Sequence, residues 1–184
     1  MTRFANFVLF QIGWFACVLG GAHGRPWLGT AIALAIVGWH LVRARRPQDE
    51  LTLIAIAAVI GALFDSSLVA LDWVRYPSGT LLAGTAPHWI VAMWMLFATT
   101  LNVSLRWLRP MPLAAAALGA VGGPLAYWGG ARLGGMEFAA PIAATAAYAI
   151  GWAALTPLLC RLARRYDGYP ETAAPDPAPR TRHA

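Results

Sequence analysis

Six stretches of the chain are almost continuously apolar, at about 4–22, 26–42, 51–72, 88–106, 112–130 and 138–160, and short polar breaks separate them. Each stretch is close to the about 20 residues that a helix needs to cross a hydrocarbon core about 30 Å thick. The breaks carry turn residues, as in "HGRP", "RARRPQDE", "RYPSG" and "RPMP", and are too short to hold a soluble domain. The pattern predicts an all-α fold, a polytopic membrane bundle of six transmembrane helices over residues 1–165. The remainder, 166–184, is polar and rich in proline, and is expected to be a disordered cytoplasmic tail.

Composition sharpens this reading. Of the 184 residues 59% are hydrophobic and 12% charged, against about a quarter charged in a soluble domain. Fourteen arginines and no lysine stand against eight acidic residues, a net charge of +6. Spread over one face, that excess would suggest nucleic acid. Here it is gathered between apolar runs, which argues against a nucleic-acid partner and for span orientation. Eleven arginines (3, 43, 45, 46, 106, 109, 161, 164, 165, 180 and 182) fall on one side of the proposed spans, and Arg25, Arg75 and Arg132 on the other. The positive-inside rule then puts both termini in the cytoplasm. Trp27, Trp73 and Trp89 on one side and Trp39 and Trp107 on the other fit interfacial belts. Arg3 followed by an apolar run ending in "GGAH" also has the look of a cleaved signal peptide. The length of the run, with Asn6, Gln11 and Trp14 inside it, favours a retained span.

The third span breaks the rule that charge avoids the bilayer. Asp65 lies about 21 Å from its inner boundary and Asp72 near the outer one. Seven residues make nearly two turns, so both are expected on one face with Ala58, Gly61 and Leu68, turned into the bundle where small residues allow close approach. An acid at that depth needs a partner. It reads as a proton-carrying or substrate-binding group or as a structural hydrogen bond to another span, and both readings stand. Tyr127 of the fifth span, at matching depth, is the first candidate partner.

A second polar seam runs through the fourth span: His88, Ala92, Met95, Thr99, Asn102 and Arg106 recur at helical spacing. Thr99 and Asn102 suit interhelical hydrogen bonding. His88, near the level of Asp72, is placed to pair with it, although an idle surface histidine is the commoner case. In the fifth span "GAVGGPLAYWGGARLGG" holds a G-x-x-x-G pair, Gly119 and Gly123, which favours close helix packing, and Pro124, which predicts a kink or break. Asp72, Arg75, His23, His88, Arg132 and Glu137 would form an outer ionisable group.

Several chemistries find no support. The four histidines offer no facing pair at matched depth for a haem, and no spaced metal-binding, nucleophile-elbow or phosphate-loop motif occurs. No cofactor is expected. Cys17 and Cys160 belong to different depths, which argues against a disulfide between them.

"FQIGWFACVLG", "APHWIVAMWMLFATTLNVSLRWL" and "GAVGGPLAYWGGARLGG" together resemble a family of small bacterial membrane proteins, domain of unknown function 2878, over about Asn6 to Arg164. The resemblance implies a multi-pass protein of the bacterial inner membrane and carries over no activity, cofactor or catalytic residue.

The residues themselves favour a small-molecule binding or transport module, with candidate substrate-binding residues Asp65, Asp72, His88, Thr99, Asn102 and Tyr127. The ligand would be a small molecule or a lipid. An accessory or assembly protein, working with a partner membrane protein or a second copy, is one alternative. A membrane-embedded enzyme acting on a lipid or isoprenoid, with Asp65 or His88 as acid or base and Arg75 or Arg132 holding a headgroup, is the other.

Overall fold

The computed structural model describes residues 2–170. Six α-helices follow one another: α1 (Arg3–Ala22), α2 (Pro26–Arg43), α3 (Pro47–Ala70), α4 (His88–Leu101), α5 (Pro112–Arg132) and α6 (Pro141–Arg165). Four of them begin with proline, at Pro26, Pro47, Pro112 and Pro141, where the missing N–H has no intrahelical acceptor in any case. After α5 the chain reverses through Gly134 at φ +82°, a left-handed conformation that glycine tolerates best. Successive helices alternate in direction. One end of the bundle, here called basal, therefore gathers the start of α1 and the end of α6, and the other is apical.

Helices α1, α2, α3 and α6 are long and apolar enough to cross a membrane. Helix α5 has comparable length, 21 residues, but five glycines and two prolines dilute its apolar character. Helix α4 is shorter than the sequence pattern predicts: it stops at Leu101, so Asn102 caps it and Arg106 lies beyond, in a single 3₁₀ turn over Arg106–Leu108. Helix α4 is the buried centre of the fold and packs on α1, α2, α3 and α6. Large apolar side chains such as Val59, Leu63, Leu125, Ile142 and Ile150 point outward instead. That inversion of the usual soluble pattern suits a lipid surround.

Helices α5 and α6 form the closest pair, and Gly119 and Gly123 explain why. A Cβ at Gly119 would stand 2.1 Å from the Trp152 carbonyl oxygen, and one at Gly123 would stand 2.5 Å from the Trp152 ring. Of the kink or break expected at Pro124 the break does not occur: α5 is one helix through it, as α6 is through Pro157.

At the apical end the long α3–α4 connection folds back over the bundle. Ser78 donates to the Gly21 carbonyl, Trp89 Nε1 donates to the Ser78 carbonyl, and the Ala86 N–H donates to Ser66 Oγ. A two-residue strand β1 (Val74–Arg75) pairs antiparallel with β2 (Glu137–Phe138), tying this connection to the α5–α6 turn. At the basal end the first residues assigned to the tail are part of the folded bundle. Residues 166–170 are packed against the bundle, and 171–184 lie outside the described residues. Cys17 and Cys160 are both buried and not disulfide-bonded.

Candidate functional site

Asp65 is fully buried on the inner stripe of α3, and four side chains from four other segments converge on it. Trp94 Nε1 of α4 donates to Oδ2 at 2.7 Å and Tyr127 OH of α5 donates to the same oxygen at 2.9 Å. Tyr148 OH of α6 donates to Oδ1 at 3.4 Å, and Tyr76 OH, reaching down from the apical connection, at 3.5 Å. A carboxylate offers about four acceptor positions, and here donors alone surround it. Gly61, one turn below, makes room for this arrangement: a Cβ there would lie 2.0 Å from the Trp94 ring. The small residue beside the acid therefore admits an indole rather than another backbone. Tyr127 and Tyr148 stack with ring centroids 3.6 Å apart, and Trp94 stacks on Trp152 at 4.5 Å.

Trp94 and Tyr127 have a second face. With their polar atoms turned to Asp65, their rings form part of the wall of a cavity of about 230 Å³, the liquid volume of roughly eight water molecules. The cavity lies between α1 and α4 on one side and the α5–α6 hairpin on the other. Phe10, Trp14, Met93 and Phe97 line it opposite Gly122 and Ala126. Its surface is almost entirely apolar. Thr156 Oγ1 and Trp152 Nε1 border it, both buried and without a hydrogen-bond partner among the described residues. The Thr156 hydroxyl lies against Gly119, where a Cβ would be 2.4 Å away.

The six expected site residues fall in separate places. Asp65 and Tyr127 meet, as their matched depth suggested, and Tyr127 alone of the six lines the cavity. Asp72 does not share the Asp65 face, because α3 ends at Ala70 and Asp72 adopts φ +54° beyond it. Its exposed carboxylate takes a bidentate bond from Arg75 at 2.8 and 2.7 Å, and that guanidinium holds its pKa below the usual carboxylate range. His88 does not pair with Asp72. Nδ1 bonds Thr30 Oγ1 at 2.7 Å while the ring stacks on Trp27. Thr99 turns its hydroxyl back to the Leu96 carbonyl, and its own carbonyl accepts from Asn6 Nδ2. Of the outer ionisable group only Asp72, Arg75 and Glu137 come together.

Asn102 belongs to a second buried polar centre, at the basal end, which forms around Glu50. Glu50 lies on the same stripe of α3 as Asp65 and is fully buried. It accepts from His40 Nε2 at 2.7 Å, from Asn102 Nδ2 at 2.6 Å and from the Gly168 N–H at 2.9 Å. Beside it Asp167 bridges Arg106 at 2.9 Å and Arg109 at 3.1 Å. Tyr169 caps the group, donating to the His40 carbonyl, and burial pushes its phenol pKa up to about 12.

The fold thus defines an all-helical protein with helices fit to cross a membrane and two buried carboxylate centres, one of them backing an apolar cavity. The chain belongs to the family described as "Protein of unknown function (DUF2878)", whose model matches residues 3–158. No curated protein and no solved structure matches it.

Proposed function

We propose that this protein is a six-span integral protein of a bacterial inner membrane, with both termini cytoplasmic, that binds a small molecule in the cavity between α1, α4 and the α5–α6 hairpin. The arginine bias toward the basal end supports the orientation. The cavity carries the reading: a recess walled by aromatic rings, in a core otherwise closely packed, is the usual form of a ligand site. Asp65 serves it from behind, by fixing the tilt of Trp94 and Tyr127, and the ligand meets the rings rather than the carboxylate.

The test is thermal stability of the purified protein across a panel of metabolites and lipids. At least one compound should raise Tm in the wild type, and Gly122→Leu should suppress the rise. A Cβ at Gly122 meets nothing within 4 Å, so leucine there fills the cavity without displacing a helix. A flat response of the wild type to the whole panel would remove the proposal.

The complete closure of Asp65 favours a second reading, an assembly protein whose polar residues only fix helix packing. Under that reading Gly122→Leu leaves the cellular phenotype unchanged.

A further inference from the structure

We infer that the ligand is a single-chain amphiphile with an uncharged, hydroxyl-bearing head, its chain in the apolar cavity and its head in the apical recess that adjoins it. This inference rests on the binding function proposed above and specifies its ligand.

The cavity offers a chain what it wants and a polar molecule very little. The two unpartnered polar atoms buried at its border, Thr156 Oγ1 and Trp152 Nε1, are themselves covered, so polar groups placed against them would lose water and gain no bond. It also opens sideways. Leu118 and Ala126 line the cavity and stand exposed on the flank of α5, with Gly122 between them. The seam between α1 and α5 closes only toward the apical end, where Trp14 reaches Gly129 and Val18 reaches Gly130. Below that closure the mouth faces an apolar flank of the bundle, at Val121 and Leu125. A molecule already dissolved in a bilayer has the shortest route in.

The apical wall of the cavity is Met136, 6% exposed. The same side chain lines a second recess with Arg75, Tyr76, Pro77, Gly134 and Glu137. Met136 thus stands between an apolar chamber and a polar one, and methionine is the apolar side chain that most readily repacks around a ligand. Strand pairing sets Glu137 beside Arg75, and Arg75 already holds Asp72. One guanidinium against two carboxylates repels a phosphate or carboxylate head. The same groups supply both donors and acceptors to a hydroxyl.

Wild-type protein in nanodiscs is titrated with a monoacylglycerol brominated along its chain, and quenching of tryptophan fluorescence is followed. Trp14, Trp89, Trp94 and Trp152 line the cavity. Saturable quenching is expected, at least tenfold tighter than with a brominated alkyl phosphate or alkane of equal length. Gly122→Leu and, at the lip, Leu118→Phe should each abolish the saturable component with unliganded Tm kept. Glu137→Gln with Arg75→Gln should weaken the monoacylglycerol several-fold and leave the alkane unchanged. Equal quenching in wild type and both filled variants would overturn the inference, as would tighter binding of the phosphate or equal binding of the alkane. If another compound raises Tm in a Gly122-dependent way while the monoacylglycerol gives no saturable quenching, the amphiphile is wrong and the binding function stands. If neither occurs, both fall.

Discussion

Glu50 and Asp65 stand on one buried stripe of α3, fifteen residues and about 22 Å apart along the axis, and each is fully buried and enclosed by donors from elements distant in sequence. His40, Asn102 and the Gly168 amide meet Glu50. Trp94, Tyr127, Tyr148 and Tyr76 meet Asp65. Between helices in lipid there is no hydrophobic drive to association, so packing and polar contacts must set which helix faces which. With an acceptor near each end, α3 is fixed in rotation and height against α4, α5 and α6.

Replacing Asp65 separates charge from shape. Asp65→Asn turns one acceptor atom into a donor that faces other donors, at a cost of about 1–3 kcal/mol. Asp65→Leu leaves all four donors without an acceptor and should cost more, with little monodisperse protein recovered. Thermal unfolding followed by size-exclusion fluorescence checks both. A leucine variant as stable as wild type would mean that apolar packing replaces the network, as it does for some buried ion pairs.

The six helices were legible because a 20-residue apolar run has few alternatives, and Tyr127 was legible because depth along a span can be counted. The same count, applied to every span, reaches the other partners. Asp65 stands five residues from the apical end of α3, Trp94 six from that of α4, and Tyr148 seven from that of α6. Tyr76 was out of reach, since nothing local says that the α3–α4 connection folds back. Glu50 was hidden by its neighbours: in "RARRPQDE" it reads as a solvated loop acid, and its burial is decided by Asn102 and Gly168. One trace was available, the spacing 50, 54, 57, 61, 65, 68, which continues the inner stripe of α3 down to Glu50. Asp72 misled because the seven-residue spacing assumes a helix that in fact ends at Ala70.

The glycines of α5 make opposite predictions although they are neighbours. Gly119→Ala places a methyl group against the Trp152 carbonyl and must push α5 from α6, so accumulation should fall sharply. Gly61→Ala should behave alike, because Trp94 occupies the space. Gly122→Ala meets open space and removes a helix-interior glycine, a gain of about 1 kcal/mol. The expected order of Tm is Gly122→Ala above wild type and wild type above Gly119→Ala. Any other order would mean that the α5–α6 contact is not set by these backbones.

At the basal end, Glu50→Ala leaves His40, Asn102 and the Gly168 amide without their acceptor, and each buried donor so orphaned costs about 1–3 kcal/mol. Arg75→Ala at the apical surface removes a pair whose side chains are more than half exposed, and Tm should hold. Hydrogen exchange gives the spatial check. In Glu50→Ala the amides of residues 166–169 should lose protection first, because Glu50 holds the Gly168 amide directly and orders Asn102, which holds the Tyr166 carbonyl.

Tyr169 supplies the pH dependence. Its folded pKa, raised to about 12, exceeds the unfolded value of about 10. The neutral phenol is therefore favoured by folding, and the stability it contributes is complete below about pH 10 and is lost as pH climbs through 12. Tyr169→Phe cannot titrate and also lacks the bond to the His40 carbonyl. At neutral pH the variant should melt below wild type. Between pH 10 and 12 the two melting curves should converge, as ionisation takes from the wild type what the mutation had already removed. A gap that stays constant across that interval would show that the phenol titrates no differently when folded, and that its contribution to the segment after α6 does not depend on its charge.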